Sequence, residues 1–216
     1  MRFTIISDTH GKHKALRLPP GDVLLHCGDI SYNGCKRDII SFYEWFSQQP
    51  FTHKLFVAGN HDSPFTADYS PIKLHVPYNV VYLQDSGVEI QGVKVWGSPV
   101  TPVFRSSAFT VAAGAPIRAH WQGIPTDTDI LLTHGPALGV CDQNANNIHA
   151  GCAELAGVLD ERRVQVHAHG HIHEAHGVSI RAGRISVNAS VVNKRYEVVN
   201  PPIHLFYADG RFSCIG

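Results

Sequence analysis

Five short polar clusters in this 216-residue sequence combine residue types able to hold a cation. They are Asp8-Thr9-His10, Gly28-Asp29, Gly59-Asn60-His61-Asp62, His134-Gly135-Pro136 and Gly170-His171-Ile172-His173. Carboxylate, amide oxygen and imidazole, with no thiolate, suit a hard or borderline divalent ion such as Mn, Fe, Zn or Mg. In an extended Asp-x-His or His-x-His segment both side chains point the same way, so both can reach one ion. Two ions need a shared ligand, and Asp29, with two carboxylate oxygens, is the natural one. Metal pairs about 3.5–4 Å apart clamp the attacking and leaving oxygens of an in-line displacement at phosphorus. Taken singly, each cluster also reads as a turn or cap, because Asp, Asn and Gly tolerate positive φ. Their joint occurrence at successive strand ends is what points to one site.

The elements that must position these residues are legible as apolar runs at 3–7, 23–27, 54–58, 130–133 and 164–168, each leading into one cluster, the last through His169. Such runs fit strands buried on both faces. In open α/β sheets ligands sit beyond the carboxyl ends of strands, so residues remote in sequence converge on one cleft. Ile39, Phe42, Tyr43 and Phe46 recur at helical spacing, as do Cys152, Leu155, Ala156 and Leu159, with Arg162 and Arg163 suited to the C-terminal end of that helix. Residues 88–96 read as a hairpin turning at Gln91-Gly92, and 178–180, 184–188 and 203–207 as strands. The pattern is a layered α/β domain on a mixed sheet or a pair of sheets.

Composition narrows the setting. Lys and Arg (18) equal Asp and Glu (18), so no global basic field draws the chain to nucleic acid or anionic lipid. A hydrophobic share of 44% supports a sizeable core, and the length suits a single domain over 1–216. No run of about 18 apolar residues could span a membrane. Asp8 and His10 come too early for a secretory core to precede them. The five cysteines form no C-x-x-C pair, so a reduced, cytoplasmic protein is expected. The 15 histidines agree with metal chemistry.

Together the clusters resemble the calcineurin-like metallophosphoesterase superfamily, whose pattern runs D-x-H, G-D, G-N-H-[DE], an isolated H, then G-H-x-H. The segments LPPGDVLLHCGD at 18–29, ILLTHGPALG at 130–139 and NPPI at 200–203 look like one branch of it. That branch comprises small metallophosphoesterase-domain-containing proteins related to class III cyclic-nucleotide phosphodiesterases. The resemblance implies a four-layer α-β-β-α sandwich of two mixed sheets. It further implies two divalent ions, manganese first, with iron, zinc or magnesium as alternatives. Asp8, His10 and His173 would hold one ion, Asn60, His134 and His171 the other, with Asp29 bridging. Some animal members carry Gly at the position of His171; the histidine here favours two full sites. His61 would face the phosphate and stabilise or protonate the leaving oxygen, and Asp62 would orient that imidazole. A bridging water, made acidic by the ions, would be the nucleophile.

The branch resemblance makes the expected substrate a small phosphodiester, such as a cyclic nucleotide. The alternatives are a phosphomonoesterase or protein phosphatase on the same scaffold, and a non-catalytic binding protein stabilised by metal. The absence of basic runs argues against long nucleic acid. Residues 65–79, 100–128 and 135–151 read as long loops, suited to rims or lids. Within them Phe65, Tyr69, Phe104 and Trp121 are candidates to stack a base, Arg105 to meet a phosphate, and Asn144, Asn146 and Asn147 to donate hydrogen bonds. Cys27, beside Gly28-Asp29, reads as either a redox-sensitive or an inert buried thiol.

Overall fold

A computed structural model describes residues 1–68, 70–104 and 107–214. The chain first lays down four parallel strands, β1 (Arg2–Ile6), β2 (Gly21–Cys27), β3 (Phe51–Val57) and the short β4 (Val81–Tyr82). It then crosses to a second sheet through the hairpin β5 (Ser86–Ile90) and β6 (Val93–Ser98), and makes a small ribbon of β7 (Thr101–Pro102) and β8 (Thr110–Val111). The strands β9 (Ile130–Thr133), β10 (Val166–His169), β11 (Gly177–Arg181) and β12 (Arg184–Asn188) complete that sheet. Finally β13 (Ile203–Ala208) and β14 (Arg211–Cys214) return to the first. The strand orders are β14-β13-β1-β2-β3-β4 and β11-β12-β10-β9-β6-β5. Both sheets are mixed, because β13, β14, β11 and β5 pair antiparallel with their neighbours.

Three buried clusters define the layers. Phe3, Ile5, Val23, Leu55, Val95 and Leu132, with their neighbours, fill the space between the sheets. Helix α1 (Lys36–Ser47) lays Ile39, Phe42, Tyr43 and Phe46 on the outer face of the first sheet, where Phe42 and Phe46 stack at 4.7 Å. The single turn α2 (Pro71–Leu74) joins that layer through Ile72. Helices α3 (Ala115–Trp121) and α4 (Ala153–Asp160) cover the second sheet with Ile117, Trp121, Leu155 and Leu159. The expected four-layer sandwich of two mixed sheets is therefore the observed one. Cys152 caps α4, its sulfur accepting from Leu155 N. That helix closes at Asp160, so Arg162 and Arg163 stand beyond its last turn.

Two expectations change. Residues 65–79 and 100–128 are not open loops, since α2 lies in the first and β7, β8 and α3 lie in the second. Phe65 and Trp121 are fully buried packing residues. The first is among Tyr43, Phe56 and Tyr82; the second has its indole N–H on the Cys152 sulfur. Neither can stack a ligand. Tyr69 and Arg105 lie outside the described residues.

Candidate metal centre

The five clusters follow β1, β2 and β3 of the first sheet and β9 and β10 of the second, so they meet along one edge of the sandwich. Asp8, His10, Asp29 and His171 all have φ between 43° and 68°. This left-handed region costs a non-glycine residue about 1–3 kcal/mol, and such strain concentrates at functional sites. Asp and His tolerate it better than most residues. Asp8 N donates to Gly28 O and His10 N to Asp29 O, which lock the first two turns together.

Asp8, His10 and His173 each present one ligand atom within 4.8 Å of the others, and so do Asp29, His134 and His171. In the first group His10 Nε2 faces His173 Nε2 at 3.3 Å and His173 Nε2 stands 3.6 Å from Asp8 Oδ1. His10 Nδ1 donates to Ser31 O at 3.1 Å, which turns Nε2 inward. Asp8 also accepts from His171 N at 3.0 Å. Burial disfavours its charge, yet His173, then His134 and His10, hold its carboxyl well below the usual carboxylate range. The extended geometry that would let His171 and His173 reach one ion is not adopted, and the two rings fall in different groups, His173 with Asp8 and His10 and His171 with Asp29 and His134, the division that the family resemblance implies. The left-handed turn at His171 sends its ring to His134, 4.9 Å away, and leaves His173 with His10.

In the second group His134 Nδ1 donates to the Cys27 carbonyl at 2.9 Å, leaving Nε2 3.3 Å from Asp29 Oδ2 and 2.8 Å from Asn60 Oδ1. Burial opposes a charge on His134, but Asp29 and Asp8 outweigh it and raise its pKa to about 9. Burial pushes His171 down to about 4, so its ring is neutral near pH 7 with a lone pair to give. Asp29 Oδ2 also stands 3.7 Å from His10 Nε2, which links the two groups. Converging imidazole nitrogens and carboxylate oxygens in a buried seam repel or desolvate one another unless protons or cations intervene. The donor set fits two divalent ions. Cys27 is fully buried with its thiol pKa raised well above normal by burial, so its contribution is the carbonyl that orients His134.

His61 N donates to Asp29 Oδ1 at 2.9 Å, and its ring is 30% exposed, with Nε2 4.0 Å from Asp29 Oδ2. Its Nδ1 donates to the Tyr32 carbonyl, not to Asp62. The Asp62 carboxylate is already engaged, accepting from Ile30 N, Ser31 N and Oγ, and Gly59 N at 2.8–3.0 Å. Asp62 therefore ties the turn after β2 to the turn after β3 rather than orienting the imidazole. Burial and then the Asp29 charge push its pKa up to about 6. We expect Asp62→Asn to oppose an amide N–H₂ to backbone N–H groups, destabilising the fold by about 1–3 kcal/mol. Metal affinity should fall roughly 10–100-fold, as for loss of an outer partner. Denaturant unfolding and metal titration check the two effects, and unchanged values would contradict the assignment.

A cleft of about 490 Å³ opens over Asn60 and His61, walled by Tyr32, Asn33, Phe104 and Tyr196. Tyr32 and Phe104 are half exposed. The Tyr196 ring stands edge-on to His10 at 4.8 Å, His173 at 5.3 Å and Tyr32 at 5.0 Å. Of the expected stacking aromatics, Phe104 alone among the described residues lines this cleft. Tyr32 and Tyr196 escaped sequence reasoning; the only available signal was the position of Tyr32 three residues after Asp29. Asn144 is a turn former, its Oδ1 accepting from Asn146 N and Ile148 N, although Asn144 and Asn147 also line a neighbouring cavity.

A calcineurin-like phosphoesterase family model matches residues 1–175. Over 227 residues the chain is 37% identical to human metallophosphoesterase domain-containing protein 1, covering 94% of this chain and 69% of the relative. It is 34% identical over 220 residues to a UPF0046 protein of Caenorhabditis elegans, covering 96% and 75%. Its fold is similar to TT1561 of Thermus thermophilus, with a TM-score of 0.60, 16% identity and coverage of 87% and 88%. Phosphopantetheinyl hydrolase from Mycobacterium tuberculosis has a TM-score of 0.57 at 16% identity, with 90% of each chain covered.

Proposed function

The chain belongs to the calcineurin-like phosphoesterase family, and we propose that it is a two-cation phosphodiesterase acting on small phosphodiesters such as cyclic nucleotides. The observation that carries this reading is the pair of Asp/His groups joined through Asp29. Asp8, His10 and His173 would hold one ion, and Asn60, His134 and His171 the other, with Asp29 shared; manganese is the first choice. Such ions supply an acidified water and offset charge on the phosphoryl oxygens. The protein's own groups do the rest. Asn60 and His61 face the cleft, where His61, pinned through Nδ1, presents Nε2 to the oxygen that leaves. All five cysteines are free thiols, in keeping with a reducing compartment such as the cytoplasm. Among the described residues no helix is long and apolar enough to cross a membrane.

The test is reconstitution with Mn, Fe, Zn or Mg and rate measurement on an aryl phosphodiester and its monoester, with cyclic nucleotides alongside. The diester should be the faster aryl substrate. A monoester preference would make the protein a phosphomonoesterase. His61→Ala should cut turnover about 10²–10⁴-fold, the worth of a positioned acid, while metal content stays near that of the native protein. Equal losses of rate and metal would instead make His61 a ligand.

A further inference from the structure

The metal centre has space on two sides. Asn60 and His61 border the aromatic cleft, while His171 borders a second cavity of about 310 Å³ lined by Pro102, Val103, Pro136 and Ile172. Phe104 lines both, so the two are neighbours. Asn144 in turn lines both the second cavity and a third, polar one of about 580 Å³ that holds Asp142, His149, Glu174 and Arg181. The run is thus aromatic, then the ligand edge, then apolar, then polar. A monoester or a compact cyclic diester bound at the ions fills one side of this arrangement and leaves the other to water.

We infer that the preferred substrate is an acyclic phosphodiester with an arm on each side of phosphorus. This rests on the phosphodiesterase reading above and narrows it, setting acyclic diesters ahead of the cyclic nucleotides named there. The leaving arm carries a planar ring, received by Tyr32, Phe104 and Tyr196 on the side that His61 faces. The retained arm is apolar where it passes Val103 and Ile172 and ends in a hydrogen-bonding group in the polar cavity. Water adds to phosphorus, the P–O bond to the ring arm breaks, and the departing oxygen takes a proton from His61, restored by the proton that water gives up. The products are the ring-bearing alcohol or phenol and a monoester of the retained arm. Binding energy from the remote arm then serves the chemical step by holding phosphorus in place.

The experiment keeps the leaving group constant. The metal-reconstituted full chain is given p-nitrophenyl phosphate and the methyl and hexyl p-nitrophenyl phosphodiesters. We expect kcat/KM for the hexyl ester to exceed that for the methyl ester by at least about tenfold, which burial of two of the five added methylenes supplies. Val103→Asp, at a position 60% exposed and so compatible with folding, should bring the hexyl-to-methyl ratio close to one. A ratio near one in the native enzyme, or a ratio unchanged in Val103→Asp, overturns the two-armed assignment while leaving phosphodiester hydrolysis intact. Failure to hydrolyse any of the esters overturns the underlying reading and this inference with it.

Discussion

Asp29→Asn should nearly abolish phosphoester hydrolysis and, on the two-cation reading proposed above, leave neither ligand group able to hold its ion. Asp29 Oδ1 accepts from His61 N at 2.9 Å, while Oδ2 faces His10 Nε2 at 3.7 Å and His134 Nε2 at 3.3 Å, one from each ligand group. An amide keeps one oxygen only. If that oxygen continues to accept from His61 N, the N–H₂ group points at the ligand seam. If it turns inward, an N–H₂ group opposes the His61 N–H. Asparagine tolerates the φ of 55° found here, so the loss is chemical rather than conformational. Metal affinity should fall by more than the roughly 10–100-fold that an outer partner is worth. Elemental analysis and turnover in metal-replete buffer are the measurements; a native rate there would refute the shared-ligand role.

Gly170→Ala should be as damaging although it replaces no ligand residue. A Cβ on Gly170 would stand 2.1 Å from Asp8 Oδ2 and from Ser7 Oγ, and 2.6 Å from Ser7 Cβ. Gly170 follows β10 of one sheet and Ser7 and Asp8 follow β1 of the other, so the methyl group is a wedge in the seam. Overpacking of this kind costs about 1–3 kcal/mol. The relief available is displacement of Asp8, which removes a ligand from the first group. The variant should fold with a lowered melting temperature, bind less metal and turn over ester slowly. Native metal stoichiometry together with the native rate would show that the turn absorbs the methyl. Gly59 is comparably placed, since a Cβ there would fall 2.2 Å from Asp29 Oδ1.

Much of this was readable because buried parallel strands need apolar runs and because ligands gather where those strands end. The runs at 130–133 and 184–188 match β9 and β12 residue for residue, and the helical spacing of Ile39 to Phe46 lies on the buried face of α1. The candidate ligands were likewise visible, since Asp8, Asp29, His134 and their partners are rare residue types for a buried strand end. What strand periodicity could not carry was direction beyond the strand. The turns at His10 and His171 depend on φ, and that is why His171 and His173 part company. The family resemblance implies that Asp62 steadies His61, but four donors from the turns around it claim that carboxylate first. Tyr32, Tyr196, Phe65 and Trp121 are all aromatic residues in or beside connections, and only the tertiary packing separates the cleft walls from the core.

Each ligand group draws on both sheets: Asp8 and His10 meet His173, and Asp29 meets His134 and His171. An ion taken up there acts as a rivet through two plates. By mass action, a cation at a thousandfold over its dissociation constant adds about 4.1 kcal/mol to the folded state, a large part of a typical domain's total. Starving the protein of metal would then do more than silence it. It would loosen the joint between the plates, coupling the survival of the polypeptide to the mineral supply around it.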